Sequence, residues 1–294
     1  MKRFLRAVLS KRQQEKLSAI KGKIYSFFEH VFVFIIKRFP DKILLIVKSK
    51  IMIIRKMDYK RNDILLNIDS DIENNVRLHS CKKEPETVEW IHTFFKENEV
   101  FYDIGANVGA YSLVASKFLN GKIKIYAFEP SFITFAQLCK NIYINNCHES
   151  IAPLQIALSD KTNIDIFNYN NLTPGGALHT LGDPIDYRGD VFAPIFKQSA
   201  LAYRIDDIIK QFHLPIPNHI KIDVDGIEFK ILEGAEETLQ NQLVRSLILE
   251  LEEGDEANRI INFLALKGFR IHSKYKHKDV AKMYNYLFKR RISD

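Results

Sequence analysis

Four groups of residues in this sequence have types and spacings that could do chemistry. The first is Asp103-x-Gly105-Ala106-Asn107-x-Gly109, where glycines let a ligand come close to the backbone as a strand turns into a helix. The second is Glu129-Pro130, which follows Gly105 by 24 residues and closes another apolar run. An acid there can accept from both hydroxyls of a ribose. The third is Lys221-x-Asp223-x-Asp225-x-x-Glu228, and the fourth is His179, a candidate base in a glycine-rich stretch.

The first group discriminates between ligands. A dinucleotide site uses G-x-G-x-x-G, with the pyrophosphate held by a helix N-terminus. Here the pattern is G-x-N-x-G, preceded by an aspartate. A carboxylate repels a pyrophosphate, whereas S-adenosylmethionine brings an ammonium and a sulfonium that a carboxylate stabilises. Asp103, Gly105, Ala106, Asn107, Gly109, Glu129 and Pro130 are therefore read as the S-adenosylmethionine site.

The third group lies where a central parallel strand should be continuously apolar. Lys221 and Asp223 alternate onto one face of it, either as a buried pair that satisfies itself or with Asp223 beside a methyl acceptor; the two readings are compatible. A hydroxyl nucleophile benefits from a base or a metal. Asp223, Lys221 and His179 are the catalytic candidates. Asp223, Asp225 and Glu228 are candidate oxygen ligands for Mg²⁺ as a second cofactor.

Stepping outward from these residues, strands and helices alternate. Val100 to Tyr102, Ile123 to Phe128, Ile220 to Val224 and Leu247 to Leu251 read as strands. Helical spacing follows Gly109, follows Pro130, runs from Ile227 to Leu239, and returns from Asp255 to Leu266 with Gly268 as its stop. This rhythm predicts a doubly wound α/β fold with a mostly parallel sheet, whose ligands lie beyond the carboxyl ends of the strands. Residues 168–200, rich in glycine, proline and aromatics, are too long for a plain connector and read as a substrate lid.

The chain has 294 residues, 46% hydrophobic and 27% charged, enough for one large domain with an extension. Its net charge of +7 is unevenly spread: residues 1–61 hold 17 Lys and Arg against 4 Asp and Glu, a balance of +13. Residues 1–60 read as a basic extension of two short amphipathic helices broken at Pro40-Asp41, and residues 61–294 as the catalytic domain. The extension either lies on an anionic membrane leaflet or packs on the domain. No apolar run approaches the roughly 20 residues of a membrane span. Nucleic acid is the weaker partner, because the domain itself is net acidic. Cys81, Cys139 and Cys147 have no metal or redox spacing and read as reduced thiols, which predicts a cytoplasmic protein, peripheral at the inner membrane face if the extension binds lipid.

The sequence resembles the FkbM family of methyltransferases through Phe101 to Leu113 (FYDIGANVGAYSL), Phe128 to Pro130 (FEP) and Lys221 to Ala235 (KIDVDGIEFKILEGA), over roughly residues 100–269. The resemblance implies a seven-stranded Rossmann-like methyltransferase sheet with an antiparallel last strand, which Tyr284 to Phe288 could supply. It also implies O-methylation of a small-molecule or glycan acceptor, often a sugar or secondary metabolite. Two rival readings stand beside it. One is a nucleotide-dependent oxidoreductase or sugar-nucleotide epimerase, disfavoured by Asp103 and Asn107; the other is an inactive, peripheral membrane-binding protein.

Overall fold

The computed structural model describes residues 11–186, 188–277 and 280–291. The first ten residues of the expected extension lie outside the described residues. Contacts divide the chain into two units that meet in sequence between Met52 and Ile53.

In the first unit, helices span Lys11–Ile36 and Asp41–Lys50. Pro40 precedes the second helix, Asp41 occupies its first turn, and Lys48 and Lys50 its last, an arrangement that complements the helix dipole at both ends. The second helix buries no residue. Phe27, Phe28 and Phe32 on the first are each more than 60% exposed. Ile54–Lys56, expected to continue the helical extension, is instead strand β1. It pairs antiparallel with β2 (Leu65–Asn67) and belongs to the second unit.

The second unit is built on a seven-stranded sheet. Its strands are β3 (Val100–Ile104), β4 (Lys124–Phe128), β5 (Ile151–Leu154), β10 (His219–Ile222), β11 (Ser246–Glu252), β12 (Phe269–Lys276) and β13 (Met283–Arg290), in the order β12-β13-β11-β10-β3-β4-β5. β3, β4, β5, β10 and β11 run parallel, and β13 runs antiparallel to β11 and β12. The expected antiparallel strand around Tyr284 to Phe288 is β13. Strand order reverses between β3 and β10, and at such a reversal a doubly wound sheet opens a cleft.

Period-two alternation divides the core into two layers. Phe101, Ile125, Ile151 and Ile248 pack with the helices Pro85–Phe94 and Ala110–Phe118 on one face. Tyr102, Ile104, Ile220, Ile222 and Leu249 pack with the helices Ile205–Phe212 and Asp255–Leu266 on the other. Asp103 and Lys221 are register partners on β3 and β10. By the same alternation both face the first layer.

One expectation is corrected, and another gains detail. The helix read from Ile227 to Leu239 stops at Glu233 and resumes as one 3-10 turn, Thr238–Gln240. A Cβ on Gly234 would lie 2.0 Å from the Ser159 carbonyl oxygen, so the chain must break there to pack. Asp206 accepts from the Glu237 and Thr238 amides that the break exposes. The stretch 168–200 is not plain loop either. Its ends belong to β7 (Asn163–Tyr169) and β9 (Phe196–Tyr203), and it contains β8 (Thr180–Leu181), in a four-stranded sheet completed by β6 (Ala157–Leu158).

Candidate active site

Gly105, just beyond β3, has φ +75°, and a Cβ there would lie 2.0 Å from the Asp223 carbonyl oxygen. Only glycine lets these two strand ends approach so closely. Asn107 takes a left-handed φ of 50°, which asparagine tolerates, and Gly109 has φ +83° as the helix Ala110–Phe118 begins. The Gly105 and Ala106 amides both donate to the Phe128 carbonyl at 3.0 Å.

Glu129 anchors this loop. Its carboxylate accepts from the Asn107 amide at 3.0 Å and the Ser131 amide at 2.9 Å. Burial nevertheless pushes its pKa up to about 7, against those two donors and the distant Arg77. The Asn107 side chain donates to the Gly176 carbonyl at 2.8 Å, linking the loop to the 168–200 segment. Arg77 donates to Gly175 and Ser70 to Pro174, at 2.9 and 2.7 Å, so the segment is fastened from three sides.

Asp103 lies deeper than its motif suggested. It is 1% exposed; Oδ2 accepts from Ser112 Oγ at 2.6 Å, while Oδ1 is buried with no partner among the described residues. Burial raises its pKa, opposed by Lys221. The close backbone cradle at Gly105 is what a ligand lying along the loop would complete.

Lys221 and Asp223 form the pair that the strand pattern implied, with Nζ to Oδ2 at 2.5 Å and the ammonium 5.0 Å over the Tyr111 ring. Burial alone would lower the Lys221 pKa, but Asp223, Glu84 and Asp103 push it up overall. Burial likewise opposes Asp223, yet Lys221 and Lys83 hold its carboxyl well below the usual carboxylate range. A group held that firmly ionised is a weak base. Sequence reasoning missed Glu250 on β11, whose carboxyl donates to Asp223 and is pushed up to about 9, first by burial, then by Asp223 and Glu84. A charge within a central strand was the available signal, the same one that exposed Lys221.

The proposed metal ligands do not form a metal site. Asp223 is taken by Lys221, Asp225 accepts from the Leu178 and His179 amides, and Glu228 accepts from the Gly226 amide. Among the described residues no group of three or more His, Cys, Asp or Glu is placed to hold a metal. Burial pushes Asp225 up to about 6 and Glu228 up to about 8, so at neutral pH Asp225 stays largely ionised while Glu228 is largely protonated. His179 packs against Phe167 and Tyr169, and its Nδ1 accepts from the Asn170 amide at 3.3 Å. Burial lowers its pKa to about 4, which makes it a feeble base.

Two cavities flank this arrangement. A small one of about 40 Å³ is lined by Gly105, Pro130, His179, Leu181 and Asp225. A larger one of about 480 Å³ lies beyond the carboxyl ends of β10 and β11. Val224 and Asp225 line both.

The profile described as "Methyltransferase FkbM domain" matches residues 103–271. The chain is 23% identical over 194 residues to the hexuronic acid methyltransferase AglP of Haloferax volcanii, covering 66% of this chain and 73% of that one. It is 26% identical over 195 residues to methyltransferase sdnD of Sordaria araneosa, covering 59% and 74%. It is 24% identical over 197 residues to 31-O-demethyl-FK506 methyltransferase FkbM of Streptomyces tacrolimicus, covering 60% and 74%.

Proposed function

The chain belongs to the FkbM family and is an S-adenosylmethionine-dependent methyltransferase; from that premise we propose that it methylates a hydroxyl of a sugar, glycan or secondary metabolite. The family assignment removes the oxidoreductase and epimerase readings. Two of the relatives carry names that specify a hexuronic acid and 31-O-demethyl-FK506. The observation that carries the reading is the contact of Gly105 with the Asp223 carbonyl, which joins the glycine loop to the strand end that borders the larger cavity.

S-adenosylmethionine supplies, when bound, a methyl group on a sulfonium that departs as a neutral thioether. Gly105, Ala106, Asn107 and Gly109 would hold it along the loop and Glu129 and Pro130 at the end of β4, while Asp103, buried against Ser112 and lining neither cavity, would support the strand end beneath the loop. Lys221 keeps Asp223 ionised and oriented, so Asp223 acts on acceptor position more than as a base. In-line positioning of this kind supplies much of the rate in methyl transfer. The 168–200 segment covers the small cavity, which is far below the roughly 300 Å³ of a typical small-molecule site. Its movement therefore admits the cofactor. The carboxylates at Asp223, Asp225 and Glu228 are engaged by other groups and do not fit a Mg²⁺ ion, so turnover should be unchanged by excess EDTA.

The basic extension supports a second proposal, contact with an anionic membrane surface. Among the described residues no helix is long and apolar enough to cross a membrane. Exposed Phe27, Phe28 and Phe32, in an apolar stretch flanked by Lys21 and Lys23 on one side and Lys37 and Arg38 on the other, give the combination that binds a leaflet through apolar insertion and charge.

The test of the acceptor class is transfer of a labelled methyl group from S-adenosylmethionine to a panel of hydroxyl-bearing and amine- or thiol-only acceptors. Label confined to hydroxyl oxygens supports the reading. Label on nitrogen or sulfur alone overturns it.

A further inference from the structure

The larger cavity has a wall of one sign. Among the described residues, Asp225, Glu228, Glu250, Glu252, Asp255 and Glu256 line it. The cation there, Lys83, is already paired with Glu84 at 3.0 Å. Glu252, Asp255 and Glu256 are exposed at the rim, and the last two also suit the first turn of their helix. Asp225, Glu228 and Glu250 are the interior carboxyls; Glu228 opens the short helix Glu228–Glu233, but no helix start accounts for Asp225 or Glu250.

A second observation points to a ligand. His277, at the end of β12, lines the same cavity with its side chain only 6% exposed. Neither ring nitrogen has a hydrogen-bond partner among the described residues. Nε2 lies 3.5 Å from Glu250 Oε1, beyond a good hydrogen bond. The backbone fixes the residue, because the His277 amide donates to the Met283 carbonyl at 2.8 Å. A neutral imidazole offers one donor and one acceptor, and a buried one is normally satisfied. A hydroxyl-bearing guest in the cavity would satisfy it.

Resting on the methyltransferase reading above, we propose that this cavity is the acceptor pocket and that it selects an acceptor carrying an ammonium group beside its hydroxyl, with His277 binding the hydroxyl face and Glu228 and Glu250 the cation. The interior carboxyls explain why the cation matters. Burial, with Asp225 acting on Glu228 and Asp223 and Glu84 on Glu250, keeps both carboxyls protonated at neutral pH. An ammonium supplies the missing positive charge, so that the carboxyls ionise, release their protons to solvent and form charge-assisted hydrogen bonds. A carboxylate guest meets the opposite: it is repelled by Asp225 and Asp223 and gains no cation from Lys83. The pocket therefore disfavours an anion such as a hexuronic acid.

The test uses the full chain with S-adenosylhomocysteine bound and three probes of one ring: glucosamine, N-acetylglucosamine and glucuronate. Binding is followed by ligand-observed NMR, and proton release by calorimetry at pH 7 in two buffers of different ionisation enthalpy. Glucosamine should bind about tenfold or more tighter than either other sugar, with net proton release. Glu228→Gln with Glu250→Gln should abolish that preference and the proton release while leaving the fold intact, since the two carboxyls are neutral at pH 7. His277→Ala should weaken all three sugars alike. Equal or tighter binding of glucuronate overturns the proposal, as does a preference that survives the double variant. Failure to bind S-adenosylhomocysteine at all would instead indict the methyltransferase reading.

Discussion

Asn107 and Glu129 are joined by a hydrogen bond of 3.0 Å from the amide of one to the carboxylate of the other, across the ends of two neighbouring strands. That bond makes the ribose acid a structural support for the glycine loop as well as a cofactor ligand. Replacing Glu129 with alanine strands the Asn107 and Ser131 amides together. The variant should lose about 1–3 kcal/mol of stability in urea unfolding and bind S-adenosylmethionine at least tenfold more weakly.

The same group gives a pH dependence whose sign is fixed. Glu129 titrates at about 7 in the folded protein against 4.5 for an ordinary glutamate, so the folded state holds a proton that the unfolded chain has released. Its contribution to stability is full below about pH 4.5 and is lost as pH rises through 7, roughly 3 kcal/mol in all. Ribose hydroxyls need the ionised form, so cofactor affinity should run the other way and rise between pH 6 and 8. Glu129→Gln should flatten both slopes when unfolding and binding are measured across that range.

Lys221 sits among Asp103, Asp223 and Glu84, and its loss leaves buried acids without their cation. Lys221→Met should cost about 3–5 kcal/mol in chemical denaturation. An unaltered unfolding midpoint would show that the cluster is solvated and that Lys221 does not hold Asp223.

The 168–200 segment is fastened through Asp225, which accepts from the Leu178 and His179 amides at 2.6 and 3.2 Å. Asp225→Ala should free the segment at a cost of about 1 kcal/mol. Proteolytic cleavage within residues 170–195 should become several-fold faster, while bound S-adenosylhomocysteine slows it again. Cleavage at the wild-type rate would remove the latch.

For the basic extension, the full chain should sediment with anionic liposomes at low salt and be partly released at high salt, as screening weakens charge attraction. Phe28→Ser with Phe32→Ser should reduce sedimentation. A chain that ignores anionic liposomes at low salt has its extension engaged with protein surface instead.

The sheet and the loop were legible because both rest on local patterns. Period-two apolar strands, helical spacing and left-handed positions at Gly105 and Gly109 are written in adjacent residues. The motif marked Asp103 as a candidate but did not reveal its setting. Alternation with Phe101 would have placed it on the Ser112 face, away from the small cavity. Residues brought together by the topology left weaker traces. Glu250 breaks an apolar strand as Lys221 does, yet its partner Asp223 lies on a different strand end, so spacing could not connect them. His277 follows a strand of mixed polarity and offers no pattern. The metal reading rested on three acids near one strand end, which satisfy a ligand count in sequence, while in the structure their carboxyls are engaged by Lys221, Leu178, His179 and Gly226.

The most direct measurement is calorimetric titration of the wild type and of Gly105→Ala with S-adenosylmethionine and, separately, with NAD. A Cβ at Gly105 would meet the Asp223 carbonyl at 2.0 Å in a left-handed backbone, so the substitution closes the loop against its ligand. The wild type should bind S-adenosylmethionine in the micromolar range, roughly 8 kcal/mol, and not bind NAD; Gly105→Ala should bind neither. Binding of NAD by the wild type without S-adenosylmethionine, or undiminished S-adenosylmethionine binding by Gly105→Ala, would contradict the site described here.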